Sequence, residues 1–267
     1  MNPNNRVIVV TGAGSGIGRQ LSLQLLAAGA RVAAVDLNAE ALGETARLAA
    51  SDKLSLHVLS VADRQAVEAL PEQVIAAHGV VDGVINNAGI IQPFLRVNDL
   101  PYEAIERVLN VNLYGVIYMV KTFLPHLLKR PEAHIVNISS MGGFFPVPGQ
   151  SLYGASKAAV KLLSEGLYAE LSRTNVRVTV VFPGAVTTNI TQNSGVTVRQ
   201  PAPSQSESSL PQTSPEAAAA AIIDGMKRDA FQVYVGNDSK MMNLHYRLSP
   251  LRATRFIQNR MKALLPD

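Results

Sequence analysis

No cysteine occurs among the 267 residues, which excludes disulfides and thiolate chemistry and gives no reason to place the chain outside the cytoplasm. No uncharged apolar run approaches about eighteen residues, so no membrane-crossing segment is expected. The opening Met1-Asn-Pro-Asn-Asn-Arg6 leads directly into a strand-like stretch and leaves no room for a signal peptide. His57, His78, His126, His134 and His245 lack HExxH or any other ligand spacing, so no metal site is expected. Excess positive charge is missing from the body of the chain. From Lys240 onward there are six basic side chains and one acid, Asp267, so the tail carries +5 of the net +4 and the rest about −1. Nucleic acid is therefore not an expected partner. What is present, 47% hydrophobic and 16% charged residues, is the composition of a globular chain with a substantial core.

Arg6 to Val10 is a short β-branched run that reads as a buried strand. It enters Thr11-Gly-Ala-Gly-Ser-Gly-Ile-Gly18 and then a helical stretch from Arg19 to Ala28. Strand, glycine-rich turn and helix bring backbone N–H groups at a positive helix end close to a diphosphate, although a glycine cluster can also be a plain flexible loop. The second strand, Arg31 to Val35, ends at Asp36, about twenty residues past the turn. There a carboxylate would hydrogen-bond adenosine ribose hydroxyls and repel a 2′-phosphate, so NAD is expected over NADP. A helix follows from Ala39 to Ala50, a strand from Leu54 to Leu59, and a helix from Asp63 to Ala77 with Pro71 as a kink or break. A strand from Val80 to Ile85 runs into Asn86-Asn-Ala-Gly89, and Tyr102 to Lys129 reads as one long helix with polar Asn112 midway.

His134 to Ile138 is a strand ended by Ser139-Ser140, Ser151 to Arg173 a helix, and Val176 to Phe182 a strand closed by Pro183-Gly184. Residues 189–214 are irregular and rich in Ser, Gln, Pro and Thr, as in a lid. A helix from Pro215 to Lys227 and a strand from Phe231 to Val235 complete the alternation. It predicts a single α/β domain, a doubly wound parallel sheet with helices on both faces. Ligands of such sheets lie off the carboxyl ends of the strands, so the turn after Val10, the Asn86 segment and Ser140 should share one rim. Tyr153 and Lys157 lie one helical turn apart, thirteen residues after Ser140. A phenol with a pKa of about 10 becomes useful near neutrality only beside a positive charge.

Together, Thr11-Gly-x-x-x-Gly-x-Gly18, Asp36, Asn86-Asn-Ala-Gly89, Asn112, Ser140, Tyr153-x-x-x-Lys157 and Pro183-Gly184 with Thr188 resemble the short-chain dehydrogenase/reductase family, in its order and approximate spacing, from residue 6 to about 190. The resemblance implies a Rossmann-like fold and NAD(H)-dependent interconversion of a secondary alcohol and a ketone. It implies Tyr153 as acid/base, its pKa lowered toward neutrality by Lys157 and the nicotinamide charge, and Ser140 as the donor to the substrate oxygen. Lys157 would also hold the nicotinamide ribose, and Asn112 a water in the proton path. Cofactor contacts are implied for Gly12, Ser15, Gly16, Ile17 and Gly18 in the turn, and for Asp36 and Leu37 after the second strand. Asn87, Ala88 and Gly89 join them, as do Tyr153, Lys157, Pro183, Gly184, Val186 and Thr188.

Two departures qualify the match. Where the family often has an acid touching adenine, Ser60 stands, with Asp63 three residues on. The glycine-rich ending that often supports tetramers is missing, so a homodimer through the helices bearing Asn112 and Tyr153 is implied, with a homotetramer as the other assembly. Residues 1–239 are expected to form the dinucleotide-binding and catalytic domain with its lid at about 189–214, and 240–267 a basic, helical tail packed on the body. Such a tail could also lie on an anionic membrane surface. Met141, Phe144, Phe145, Pro146 and Val147, with Ile91 to Leu95 and the lid, are expected to wall a pocket for a hydrophobic alcohol or ketone, unless the phenylalanines serve packing instead. The competing functions are a ketoacyl-carrier reductase, which Asp36 disfavours, and a catalytically silent NAD-binding regulator.

Overall fold

The computed structural model describes residues 1–196 and 212–261. Among these residues one sheet is built from β1 (Val7–Thr11), β2 (Arg31–Asp36), β3 (Leu54–Val58), β4 (Gly83–Asn86), β5 (Ala133–Ile138), β6 (Val176–Pro183) and β7 (Gln232–Val235). Every neighbouring pair is parallel, in the order β3-β2-β1-β4-β5-β6-β7. The order therefore runs outward in both directions from β1 and β4, which places a switch point and its crevice at their carboxyl ends. All five residues of β1 are buried, because both faces of the sheet are covered. Val7 and Val9 face a core with Val67, Leu70, Phe123 and Val160. Ile8 and Val10 face the opposite core with Leu21, Leu25, Leu42 and Ile222. Burial on both faces is why the strands read as continuous apolar runs rather than as alternation.

The flanking helices are α1 (Gly16–Ala27), α2 (Ala39–Ala49), α3 (Arg64–His78), α4 (Tyr102–Leu109), α5 (Gly115–Leu127), α6 (Ser151–Glu170), the short α7 (Ile190–Asn193) and α8 (Pro215–Lys227). Local signals fix their starts. The Asn38 side chain accepts from Ala41 N, Asp63 from Ala66 N and Ser214 from Ala217 N, all within 3.1 Å. Asp63 is thereby occupied as a helix cap. Of the kink or break expected at Pro71, the break does not occur, since α3 runs on through it. It is buried on the same inner stripe as Val67, Leu70 and Val74, and that packing outweighs one missing backbone hydrogen bond. The long helix expected from Tyr102 to Lys129 is α4 and α5 joined by a π-helical turn, Asn110–Tyr114, with Asn112 buried at its centre. Such wide turns often mark functional sites because the extra residue redirects a side chain.

The described residues close with α9 (Asn237–Leu248) and α10 (Pro250–Met261), so residue 240 lies inside α9; of the expected tail, residues 262–267 lie outside the described residues. Met242 and Ala253 are buried together with Phe145, while Met241, Leu244, Leu248 and Leu251 are exposed. Of the expected lid, α7 and a bridge between Val186 and Thr213 are seen; residues 197–211 lie outside the described residues. Among the described residues no helix is long and apolar enough to cross a membrane.

Candidate active site

The rim is assembled first by Thr11, the last residue of β1. Its hydroxyl accepts from Asn87 N and Ala88 N, each at 3.0 Å, and its carbonyl accepts from Asn87 Nδ2 at 2.9 Å. The turn that follows needs two of its glycines for specific reasons. Gly12 has φ +67°, and a Cβ there would stand 2.8 Å from Asn87 Nδ2. A Cβ on Gly18 would overlap the Gly12 carbonyl oxygen. Ser15 precedes α1 without capping it, and its hydroxyl accepts from Asn193 Nδ2 of α7 at 2.8 Å. With no acid in the first turn of α1, its leading N–H groups face the rim as an anion site. Asp36 Oδ2 accepts from Gly14 N and Oδ1 from Asn38 N, both at 2.9 Å. The carboxylate is thus pinned to the turn, and each oxygen retains a lone pair for a further donor.

At the other end, Ser140 Oγ accepts from Gly142 N at 3.0 Å, which leaves its proton free to donate. A Cβ built on Gly142 would meet Tyr153 Cε1 at 3.3 Å and Ser140 Oγ at 3.5 Å, so hydroxyl and phenol ring border the same small volume. Lys157 Nζ donates to Ile138 O at 2.9 Å, and Ser139 Oγ donates to Lys157 O at 2.7 Å. These two bonds lock α6 against the end of β5. Burial pulls the Lys157 amine down to about 8. Burial raises the Tyr153 phenol, and the neighbouring Ser140 hydroxyl acts in the lowering direction. The expected lowering rests on Lys157 together with the nicotinamide charge.

Asn112 is held on all sides. Its Oδ1 accepts from Ile90 N at 2.9 Å, and its Nδ2 donates to Ile90 O at 2.9 Å and to Ser156 Oγ at 3.1 Å. Both amide protons are used, so this side chain clamps the segment after β4. Beneath the rim, Asn86 donates to Asn137 and Asn137 to Ser164 at 2.8 and 2.9 Å, a buried polar ladder across β4, β5 and α6.

A cavity of about 530 Å³ joins the two ends, from Asp36, Leu37 and Asn38 past the glycine turn and Asn87–Gly89 to Ser140, Tyr153 and Lys157. Every residue expected to act in catalysis or to hold the cofactor lines it except Gly18 and Asn112. The apolar wall matches the expected one in part. Met141 to Val147 do not line the cavity. Phe145 is buried with Met242 and Ala253, and Phe144 packs edge-on against Phe182 at 5.5 Å between ring centroids. Composition marked these rings as apolar but carried no signal of their direction. Ile91 and, from the lid segment, Ile190 line it as expected, Gln92 to Leu95 do not, Ile90 and Val186 add to the apolar lining, and Arg107 of α4 adds a cation that no motif announced. Among the described residues no cluster of three potential metal ligands occurs.

A family model described as short chain dehydrogenase matches residues 6–198. SadH of Mycobacterium tuberculosis, an oxidoreductase by name, is 38% identical over 250 residues, covering 91% of this chain and 90% of its own. A short-chain dehydrogenase/reductase from Burkholderia phymatum, solved in complex with NAD, superposes with a TM-score of 0.83 at 25% identity and covers 94% of this chain and 96% of its own. One from Burkholderia cenocepacia, solved with NADP, superposes at 0.80 and 25% identity over 96% of this chain and 99% of its own. With the switch-point cavity, the glycine turn and the Ser140-Tyr153-Lys157 cluster, these matches establish that the chain belongs to the short-chain dehydrogenase/reductase family of oxidoreductases.

Proposed function

We propose that the protein is an NAD(H)-dependent oxidoreductase interconverting a hydrophobic secondary alcohol and its ketone. The observation that carries this reading is the convergence of Ser140, Tyr153 and Lys157 at one end of a cavity whose other end is the Asp36 carboxylate. The site fits a dinucleotide: the two glycines leave room a Cβ would fill, and the first turn of α1 offers uncapped N–H groups. The glycine turn, Asp36, Asn87 to Gly89 and Thr188 would hold it, and the bound nicotinamide supplies the hydride acceptor or donor.

The chain's own residues handle the oxygen and its proton. Tyr153, whose phenol burial favours in its neutral form, donates its proton to the ketone oxygen in reduction; in oxidation it must first release that proton to solvent, and the phenolate beside Lys157 then takes the alcohol proton. Ser140 donates to the same oxygen and stabilises charge developing there. Lys157, with one N–H directed at Ile138 O, has two more for the phenol oxygen and the ribose. Ile90, Ile91, Val186 and Ile190 exclude water and favour an aliphatic, aromatic, terpenoid or steroid substrate over a charged sugar. Asp36 favours NAD, since a 2′-phosphate would meet a fixed negative charge. The catalytic unit, with α7 at the cavity as part of its lid, extends into α9 through the bond from Ala185 N to Asp238, and it works in the cytoplasm. Exposed Tyr114 and Leu162 on the π turn and α6 support a homodimer through these helices.

Absorbance at 340 nm with NAD+ or NADP+ and a panel of secondary alcohols tests the reading, alongside NADH and NADPH fluorescence titrations. NAD-linked turnover is expected. NADPH-linked reduction of a ketoacyl thioester would replace it with the ketoacyl-carrier reductase reading. Tight NADH binding without turnover of any alcohol would point to a silent regulator.

A further inference from the structure

Helix α6 carries Tyr153 on its first turn, yet nothing local caps that turn. Gln150, at the cap position, makes no side-chain hydrogen bond to the helix and instead donates from Nε2 to Gln92 O at 2.8 Å. The cap comes from across the site. Gln92 Oε1 accepts from Leu152 N at 2.8 Å and from Tyr153 N at 2.9 Å, while its Nε2 donates to Gly149 O at 2.9 Å. Gln92 is fully buried. A serine or aspartate at position 150 could satisfy the same two N–H groups. It would not connect α6 to the segment leaving β4, whose Ala88 to Ile91 line the cavity. That segment is held on its far side as well, by Asn112 at Ile90 and by Ser194, whose hydroxyl accepts from Ile91 N at 3.0 Å just past α7.

We propose that Gln92 is the positioning residue of the site: by capping α6 from the cavity wall it sets Tyr153 relative to Ser140 and to whatever occupies the cavity. The inference rests on Tyr153 being the proton-transfer group. Its physical content is that two otherwise orphaned N–H groups, one of them Tyr153's own, are bonded to a side chain that moves with the cavity wall. Displacement of that wall is passed to the phenol through short, buried bonds.

Three full-length variants separate positioning from simple capping. Q92L removes the acceptor, Q92E keeps it, and Q92L with Q150S restores a local cap without the connection. Amide exchange at Leu152 and Tyr153 is followed by NMR. The Tyr153 titration is read as the ultraviolet difference between each protein and its Tyr153→Phe counterpart, which needs no substrate. Exchange at the two amides should rise about tenfold in Q92L and return in both Q92E and Q92L/Q150S. The Tyr153 midpoint should stay displaced from wild type in Q92L/Q150S even though the helix start is protected again. A wild-type midpoint in that double variant, or unchanged exchange in Q92L, would overturn the proposal. If Q92L does not fold, the double variant carries the decision. Turnover retained by Tyr153→Phe would strike the proton-transfer reading instead, leaving the amide and titration results to judge Gln92 alone.

Discussion

The ammonium of Lys157 is anchored to the carbonyl of Ile138 at 2.9 Å, two residues before Ser140 on the same strand end. The cation and the substrate-facing hydroxyl are therefore referenced to one piece of backbone. That arrangement fixes geometry at the expense of stability, because a 4% exposed amine is costly to keep charged.

The cost predicts the behaviour of Lys157→Met. The folded amine titrates near 8 and the unfolded one at 10.5, so the unfolded chain binds more protons between those values and stability rises with pH across that window. Below it the penalty is fully present. Lys157→Met should therefore melt higher than wild type at neutral pH, by about 1–2 kcal/mol after loss of the Ile138 hydrogen bond. The gap should close toward pH 10.5, and turnover should vanish. Melting curves across that range check this; a lower melting temperature at neutral pH contradicts it.

Asp36→Ala should weaken NADH binding, since Gly14 N loses its partner, and should strengthen NADPH binding about tenfold as the repulsion is removed. The ratio of the two dissociation constants is the measurement. An unchanged ratio means the carboxylate does not face the ribose.

Gly18→Ala forces a methyl group against the Gly12 carbonyl and to within 2.6 Å of Asn87 Nδ2. It should cost about 1–3 kcal/mol and abolish NADH binding. Gly43→Ala is the control, since a Cβ there meets nothing within 4 Å. In the interior of α2 it should stabilise by about 0.5–1 kcal/mol. Urea denaturation of both variants tests the contrast.

Acid sensitivity should trace in part to His134. Thr179 Oγ1 donates to Ala230 O and so receives the Nε2 proton of His134 at 2.8 Å. Burial holds this imidazole neutral down to about 3, with the Met1 ammonium adding to the effect. The unfolded chain binds the extra proton below 6.5, so stability falls as pH drops from there toward 3. His134→Gln should flatten the urea-midpoint profile over that range by about 1.4 kcal/mol per pH unit. An unchanged slope would rule His134 out as a source.

Much of this site was legible because the chemistry restricts residue type. Only glycine fits at 12 and 18, a carboxylate at 36 has one evident use, and tyrosine with lysine one turn on is a defined pair. The helix from Pro215 to Lys227 was legible for a similar reason, a serine cap followed by proline. What stayed hidden depends on contacts distant in sequence. Gln92 caps a helix that begins 59 residues later, and no local signal marks a glutamine as a cap. Pro71 looked like a breaker because the packing that retains it comes from another helix. Phe144 and Phe145 were apolar in either reading, and only the fold decided that they support α9 and α10. The burial that acts on Tyr153 was hidden for a related cause: it is a tertiary property, whereas spacing records only the neighbouring charge.

The most direct test of the central claim is Tyr153→Phe, assayed for NADH binding by fluorescence and for NAD-linked alcohol oxidation at 340 nm in the same preparation. Deleting one hydroxyl should leave NADH affinity within about a factor of three while turnover falls at least about a thousandfold. Wild-type turnover in that variant would contradict the assignment of Tyr153 as the group that moves the proton.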